Sequence, residues 1–351
     1  MTQLDEREIL DRATVAADTR WPGAFVTDLV PLHGGVSSIT FAARLAEPDR
    51  QARRIVVKVA PPGLPPVRNR DVLRQARVLH ALAGVPGVRV PEVLLEDSGS
   101  PPFFVMSYVE GESYEPTKDV ADPPPSPATI DARARAAARM LAQLQSVQPE
   151  AIGLGDEPAL SIAEELDRWS RLFATVPDDL RGDEAELHRR LAETVPEPLD
   201  PRVLHGDYRI GNMQFAGERL AAIIDWEIWS VGDPRTDLAW LLTWVDPVQK
   251  FYEQRDAANE AAGAAMPAVE TLIDEYLAVR PGKLPDLVWF LAYCRYKMAS
   301  TTAVLVKRSR RRAQPDPVME TAASTLPAIV ARGVEILEGV RPRRASAPAS
   351  P

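Results

Sequence analysis

The segment from Val203 to Leu242 carries the residues whose types and spacing could do chemistry. Asp207 is followed five residues later by Asn212, and Asp225 lies thirteen residues beyond that. Carboxylate and amide oxygens are ligands that Mg²⁺ takes when it binds together with substrate phosphates. A further carboxylate beside them can accept or orient the proton of a hydroxyl group. The pattern therefore predicts a site for phosphoryl transfer, which asks a protein mainly for positioning and charge neutralisation.

Two short apolar runs between Asn212 and Asp225 predict the element that positions these side chains. The runs are Met213–Phe215 and Leu220–Ile224, separated by a turn that contains a glycine, which is typical of a β-hairpin. Antiparallel pairing brings the two ends of a hairpin within about 5 Å of each other. We therefore expect the amide and the carboxylate to meet at the open end, with Asp207 on the loop leading in.

The order of these residues resembles a known family. The string His205-Gly206-Asp207, then Asn212 and Asp225, is similar to the catalytic loop and metal-binding Asp of kinases. Its His-Gly-Asp form resembles the aminoglycoside phosphotransferase and choline kinase-like family. The nearest branch of that family is related to the kinase-like domain fused to some acyl-CoA dehydrogenases. The run Gly-Asp-Pro-Arg-Thr-Asp-Leu-Ala that starts at residue 232 looks like the same branch, so the resemblance covers about forty residues.

This resemblance implies a fold, co-substrates and an acceptor. The fold is α+β and bilobal, like a protein kinase: a small, antiparallel β-rich lobe over residues 1–111 and a mostly helical lobe over 112–340. Mg²⁺ and ATP or GTP are the implied cofactor and co-substrate. The acceptor is the hydroxyl of a small molecule, either a hydroxyacyl-CoA-like metabolite or an aminoglycoside-type antibiotic. A functional link to acyl-CoA dehydrogenases is also implied, and the Pro-, Ala- and Ser-rich tail 341–351 is expected to be disordered.

Each residue of the segment has an expected role. Asp207 is the expected catalytic carboxylate, and Asn212 and Asp225 are the expected metal ligands. Arg209 either reaches the transferred phosphate or faces solvent. Three further residues are expected to support the loop structurally: His205, Asp233 and Asp237.

A glycine-containing loop and the strand after it are expected to grip the nucleotide phosphates. The loop contains Gly34, Gly35, Ser37 and Ser38, and the following strand carries Lys58. Small residues let backbone N–H groups approach a phosphate, and the ammonium offsets its charge. The loop departs from the G-x-G-x-x-G form that protein kinases use.

Two more segments are predicted to take part in nucleotide binding. Kinases carry a helical glutamate that pairs with the strand lysine, but the corresponding position here holds Gln75, which can donate a hydrogen bond without pairing charge. The apolar run that ends at Gly111 resembles the kinase hinge. We expect Met106, Ser107 and Val109 to lie against the nucleotide base.

The composition excludes some classes of function. The 351 residues carry a net charge of −9, which argues against nucleic acid as a partner. No run approaches 18 apolar residues and the N-terminus has no apolar signal core, so we expect no membrane partner and a cytoplasmic enzyme.

Three features leave alternatives open. The basic run 307–312 is either a solvated helix end or an anchor for an anionic acceptor such as a coenzyme A thioester. Gln75 favours a second function, a nucleotide-binding pseudokinase or an accessory partner of an acyl-CoA dehydrogenase. Five aromatic residues either line an acceptor pocket or belong to the core: Trp240, Trp244, Trp289, Tyr293 and Tyr296.

Overall fold

The computed structural model describes residues 4–32, 38–246 and 248–338 of the chain. Gly34, Gly35 and Ser37 of the expected phosphate loop lie outside these ranges, and so does the tail 341–351. Within the described ranges, no helix combines the length and the apolar character needed to cross a membrane.

The first part of the chain forms a five-stranded antiparallel sheet with the strand order β1-β2-β3-β5-β4. Helix α1 packs on one face of the sheet, where Ile55 and Val57 of β3 are fully buried, and α2 shares a core cluster with Phe104 on the other face. The elements are α1 (Glu6–Arg20), β1 (Phe25–Leu32), β2 (Ile39–Ala46), β3 (Arg53–Val59), α2 (Val72–Ala83), β4 (Val93–Asp97) and β5 (Phe103–Ser107).

Lys58 lies on β3 between two buried valines, Val57 and Val59. Side chains alternate between the two faces of a strand, so Lys58 leaves the face covered by α1 and points to the opposite side. The side chain is only 9% exposed, and its ammonium therefore needs a partner within the structure.

The segment that holds the candidate site folds as two small antiparallel sheets. β6 (Arg202–Leu204) pairs with β9 (Ser230–Gly232), and β7 (Met213–Ala216) pairs with β8 (Arg219–Ile223). The second pair is the predicted hairpin. Met213 lies opposite Ile223, and the N–H of Ile224 donates to the Asn212 carbonyl at 2.9 Å, so both ends of the hairpin meet as expected.

Helices form most of the remaining chain, in agreement with the expected α+β class. A capping box formed by Ser161 and Glu164 starts α4, and Ser126 caps α3 with a proline at the first helical position. The helices are α3 (Pro127–Leu144), α4 (Ile162–Phe173), α5 (Glu184–Glu193), α6 (Arg235–Thr243), α7 (Ala257–Ala264), α8 (Val269–Val279), α9 (Leu287–Arg310), α10 (Pro317–Ser324) and α11 (Leu326–Glu338).

Helix α9 connects the site to the helical core. It has 24 residues and packs against α4, α6 and α11. Most of its side chains are buried, and Lys297 is among them at 4% exposure. A lysine in such a position is normally held by hydrogen bonds or charge partners. Lys297 also lines the cleft that contains Asp207, so α9 lies at the edge of the candidate site.

Candidate active site

Asp207 lies on the loop between β6 and the hairpin, and both of its carboxylate oxygens are held. Oδ1 accepts a hydrogen bond from Trp240 Nε1 at 2.7 Å. Oδ2 accepts from Asn212 Nδ2 at 2.7 Å and from Arg209 Nε at 3.3 Å. These bonds fix the orientation of the carboxylate at the wall of a cleft, as a group that accepts a proton requires.

The protonation state of Asp207 follows from two opposing effects. Burial raises the pKa of a carboxyl group, but the nearby cations Arg209 and Lys297 outweigh it, so the pKa of Asp207 lies below its usual value of 3.8. Lys297 also donates to the carbonyl of Gly206, and its Nζ lies 4.3 Å from the centre of the Trp240 ring. Asp207 is therefore an ionised carboxylate at neutral pH.

The backbone on the N-terminal side of Asp207 is braced by a buried acid. Asp237 accepts the backbone N–H of His205 at 2.6 Å and that of Gly206 at 3.0 Å. Gly206 has a φ of +85°, and a Cβ at this position would lie 2.6 Å from the carbonyl oxygen of Ile228. Only glycine fits this conformation and this close approach, so the loop cannot tolerate a side chain there.

His205 connects the Asp207 loop to the far end of the hairpin. Its Nε2 donates to the carbonyl of Ile224 at 2.8 Å, and its Nδ1 accepts the N–H of Asp207 at 3.2 Å. Ile224 directly precedes Asp225, so the imidazole links the two acidic positions. These two hydrogen bonds join the Asp207 loop to the end of the hairpin, and the structural part expected for His205 stays a prediction.

Asp233 also braces the chain, on the segment that enters α6. Its carboxylate accepts from Arg235 Nε at 2.9 Å and from the backbone N–H of Leu199 at 2.9 Å. The Arg235 side chain is fully buried, and its guanidinium also donates to the carbonyl of Pro285. These bonds hold the start of α6, the helix that supplies Asp237 and Trp240.

Asp225 meets Lys58 across the cleft between the sheet and the hairpin. Lys58 Nζ lies 3.2 Å from Asp225 Oδ1, although 167 residues separate them in the chain. Asp225 has a φ of +66°, and its side chain is 43% exposed. Asp225 also lines the cleft, so a cation or a phosphate-bound metal could reach its carboxylate.

The side chains present are suited to a Mg²⁺ ion that binds together with phosphates, rather than to a metal ion coordinated by protein side chains alone. Among the residues that the structure describes, no three His, Cys, Asp or Glu side chains form a group that could hold a metal ion. Mg²⁺ usually binds through one or two protein oxygens together with phosphates and water. The Nδ2 of Asn212 donates to Asp207, which leaves its amide oxygen, together with Asp225, as the two protein donors.

The expected nucleotide side of the site is only partly described. Ser38 is buried, and its hydroxyl has no hydrogen-bond partner among the described residues, so a polar ligand would satisfy it. Met106 and Gln75 line a small recess together with Lys58. Val109 follows in the half-buried linker that leaves β5.

Three of the expected nucleotide contacts have other partners in the structure. The Nε2 of Gln75 donates to the carbonyl of Asn69 at 3.3 Å, and the Lys58 ammonium is bonded to Asp225 instead. The backbone N–H of Ser107 donates to the Glu92 carbonyl, and its hydroxyl accepts the Glu92 N–H at 2.9 Å. The backbone N–H of Ser107 is therefore not available to a nucleotide base, whereas its hydroxyl can still donate a hydrogen bond.

Sequence reasoning missed two residues beside Asp207. Glu115 is fully buried, and its Oε2 accepts the N–H of Gly211 at 2.9 Å and a guanidinium hydrogen of Arg209 at 3.4 Å. This contact turns Arg209 toward Asp207 rather than toward solvent. No local pattern indicates Glu115, whereas Lys297 could have been found, with Arg295, as one of two charges within the apolar run of α9.

Asp207 and Asp225 both line a cleft of about 790 Å³. Of the five aromatic residues considered for an acceptor pocket, Trp240 lines this cleft, while Trp289 stacks on Tyr293 at 5.5 Å inside the core. Of the basic run 307–312, Arg308 lines the cleft, but Arg310 is paired with Asp179 and Glu320. The run therefore does not act as one anchor.

The fold is that of kinase-like phosphotransferases, and comparison with known proteins assigns the family. The model of the phosphotransferase enzyme family (APH) matches residues 28–272, well over half of the chain. The chain belongs to this family.

Similar proteins are known both as sequences and as structures. Mouse acyl-CoA dehydrogenase family member 10 is 27% identical over 297 residues, which cover 80% of this chain and 26% of that protein. The chain spans between about a quarter and a third of the length of the curated relatives it matches first. A putative aminoglycoside phosphotransferase from Ralstonia eutropha has a TM-score of 0.72 at 21% identity, covering 96% of this chain and 99% of the other.

A second structure of the same fold was solved with ligands. It is a thermostable mutant of an aminoglycoside phosphotransferase in a ternary complex with ADP and hygromycin B. Its TM-score is 0.56 at 16% identity, and the match covers 96% of this chain and 99% of that one. At such identities the likeness shows the shared fold alone.

We expect Asp207→Ala to lower the turnover number by roughly 10²–10⁴-fold, because the substitution removes the carboxylate that accepts the proton. Nucleotide binding should change little, since Lys58 and Asp225 are unaltered. Steady-state kinetics and calorimetric titration with the nucleotide measure the two quantities. Normal nucleotide binding with less than a tenfold loss of turnover would contradict the role given to Asp207.

We expect Lys297→Met to move the acid limb of the turnover profile to higher pH. The ammonium is one of the cations that lower the pKa of Asp207, so its removal raises that pKa and protonates the carboxylate at a higher pH. Lys297→Arg, which keeps the charge, is the control. A uniform loss of turnover at every pH, with the acid limb unmoved, would assign Lys297 a purely structural part.

Proposed function

We propose that the protein transfers the γ-phosphoryl group of ATP or GTP to the hydroxyl group of a small molecule. The observation that carries the proposal is the contact between Lys58 and Asp225, because Asp225 lines the same cleft as the ionised Asp207. A lysine, a metal-binding carboxylate and a catalytic carboxylate are the groups that phosphoryl transfer requires. We also propose that Gly111 marks the boundary between a nucleotide-binding lobe and an acceptor-binding lobe.

Each residue has a part in this reaction. The phosphates lie against Lys58 and the segment containing Ser38. Bound Mg²⁺, held by Asn212 and Asp225, would neutralise charge on the phosphates. Asp207 orients the acceptor hydroxyl and accepts its proton as the new P–O bond forms, while the bond to the nucleotide diphosphate breaks. Arg209, held by Glu115, neutralises the transferred group.

The charges in the cleft favour an anionic acceptor. Several carboxylates of the lining are already paired: Glu157 with Arg74, and Glu165 with Arg168. In contrast, Arg171 and Arg308 also line the cleft, and their side chains form no hydrogen bond or ion pair with any described residue. Guanidinium groups without a partner attract phosphate or carboxylate, and they repel a polycationic antibiotic.

The position of Arg308 suggests an extended acceptor. Lys297, Thr301, Leu305 and Arg308 line the cleft along one face of α9. Eleven residues of helix separate Lys297 from Arg308, a distance of about 16 Å. An alcohol whose anionic group lies at that distance from the reacting hydroxyl, such as a hydroxyacyl-CoA thioester, matches this arrangement better than an aminoglycoside does.

Phosphoryl transfer from ATP and GTP to a panel of hydroxyacyl-CoA thioesters, aminoglycosides and macrolides tests the proposal. We expect transfer to the anionic alcohols. Arg171→Gln and Arg308→Gln should each raise the KM for such an acceptor by about tenfold, because each removes one hydrogen bond between charged groups. Arg312→Gln is the control, since Arg312 is exposed in the same basic run but does not line the cleft.

Two results would count against these assignments. Transfer to aminoglycosides alone, with a KM that does not depend on Arg171 or Arg308, would contradict the anionic acceptor. Nucleotide binding without transfer to any acceptor in the panel would favour the second function, a pseudokinase or an accessory partner of acyl-CoA dehydrogenase metabolism. Gln75 is the residue that favours that alternative.

A further inference from the structure

The contact by which kinases couple their first large helix to the strand lysine is replaced in this chain. In kinases a glutamate on that helix pairs with the lysine, and the position of the helix thereby controls the site. Here Gln75 on α2 donates to Asn69, and Lys58 is bonded to Asp225. Another contact must therefore relate the position of α2 to the metal-binding side of the cleft.

The neighbouring residue Arg74 makes an extensive contact of this kind. Its guanidinium lies 4.0 Å over the ring of Trp229, and its Nη1 donates to the Trp229 carbonyl at 2.9 Å. The indole Nε1 of Trp229 donates in return to the carbonyl of Arg74 at 3.0 Å. The other amine of Arg74 pairs with Glu157. The helix and Trp229, which is 1% exposed, are thus joined by reciprocal hydrogen bonds and by stacking.

Trp229 belongs to the short segment that begins with the metal-binding carboxylate. Asp225 precedes it by four residues and has a backbone φ of +66°, a conformation that its surroundings must maintain. Between them, the carbonyl of Ile228 lies so close to Gly206 that no Cβ fits there. A shift of Trp229 would therefore displace both Asp225 and the loop that carries Asp207.

We propose that Arg74 is a positioning residue, which sets the Asp225 segment through Trp229 and thereby replaces the helical glutamate of kinases. The inference rests on the proposed function, because it concerns the same metal-binding site. It explains how the site remains organised with glutamine at position 75. It also implies that a glutamate restored at this position would compete with Asp225 for Lys58.

Four variants test the proposal. Arg74→Gln removes the stacking and the charge, and Trp229→Phe keeps an aromatic ring but removes the N–H that donates to Arg74. Gln75→Glu restores the residue found in kinases. Arg77→Gln is the matched control: Arg77 lies on the same helix and binds Gly153 and Asp156, so it docks α2 on the same part of the chain without contacting Trp229.

Calorimetric titration with ATP at increasing Mg²⁺ concentrations provides a readout that does not depend on the acceptor. We expect Arg74→Gln to raise the Mg²⁺ concentration needed for half-maximal nucleotide binding by about 10–100-fold, the usual cost of losing a residue that orients a metal ligand. Trp229→Phe should shift it in the same direction, and Arg77→Gln should leave it within about twofold of the wild-type value. Gln75→Glu should give no gain in turnover.

The outcomes separate this inference from the function on which it rests. If the wild-type protein binds ATP in a Mg²⁺-dependent way and Arg74→Gln behaves identically, the positioning part of Arg74 is wrong and the proposed function stands. Equal effects of Arg74→Gln and Arg77→Gln on Mg²⁺-dependent binding would show that Arg74 only docks the helix. A large gain in turnover from Gln75→Glu would also overturn the inference. Absence of Mg²⁺-dependent binding by the wild-type protein would overturn the proposed function, and this inference with it.

Discussion

The ion pair between Lys58 and Asp225 joins two parts of the chain that share no local structure. Lys58 comes from the centre of the five-stranded sheet, and Asp225 follows the hairpin. A lysine buried to this extent is stable only if a carboxylate lies close by, and Asp225 supplies one at 3.2 Å. This contact, together with that between Arg74 and Trp229, joins the sheet and α2 to the segment that follows the hairpin.

The second constraint is electrostatic, and it concerns Asp207. The carboxylate is buried, which by itself favours the neutral acid, yet it must be ionised to accept a proton. The structure resolves this conflict by placing Arg209 and Lys297 beside it, and a second buried acid, Glu115, orients Arg209. Under the proposed function, the same cations would also stabilise the negative charge of a transferred phosphoryl group.

Much of the local structure could be predicted from the sequence. The hairpin, the strand that carries Lys58, and the caps at Ser126 and Ser161 follow from periodicity and from side-chain chemistry near in the chain. The placement of Asn212 and Asp225 at the two ends of one hairpin follows from the same reasoning. The motif around His205 was sufficient to indicate the family, because these residues lie close together in the sequence.

The contacts that depend on helix docking could not be predicted. Glu115 reaches Arg209 across 94 residues, and Lys297 reaches Gly206 across 91, so no spacing rule connects them. The basic run 307–312 looked uniform, but the direction of each side chain on α9 decided that Arg308 lines the cleft while Arg310 pairs with acids elsewhere. The contacts of Gln75 with Asn69 and of Arg74 with Trp229, on which the proposed part of Arg74 rests, likewise follow no pattern in the sequence.

The central claim is that Lys58 and Asp225 together form the binding site for a metal-bound nucleotide. Calorimetric titration of ATP, with and without Mg²⁺, into the wild-type protein, Lys58→Met and Asp225→Asn tests it most directly. The account predicts Mg²⁺-dependent binding by the wild-type protein and at least about tenfold weaker binding by each variant, since each loses a hydrogen bond to a charged group. Binding that is independent of Mg²⁺, or that both variants retain in full, would contradict it.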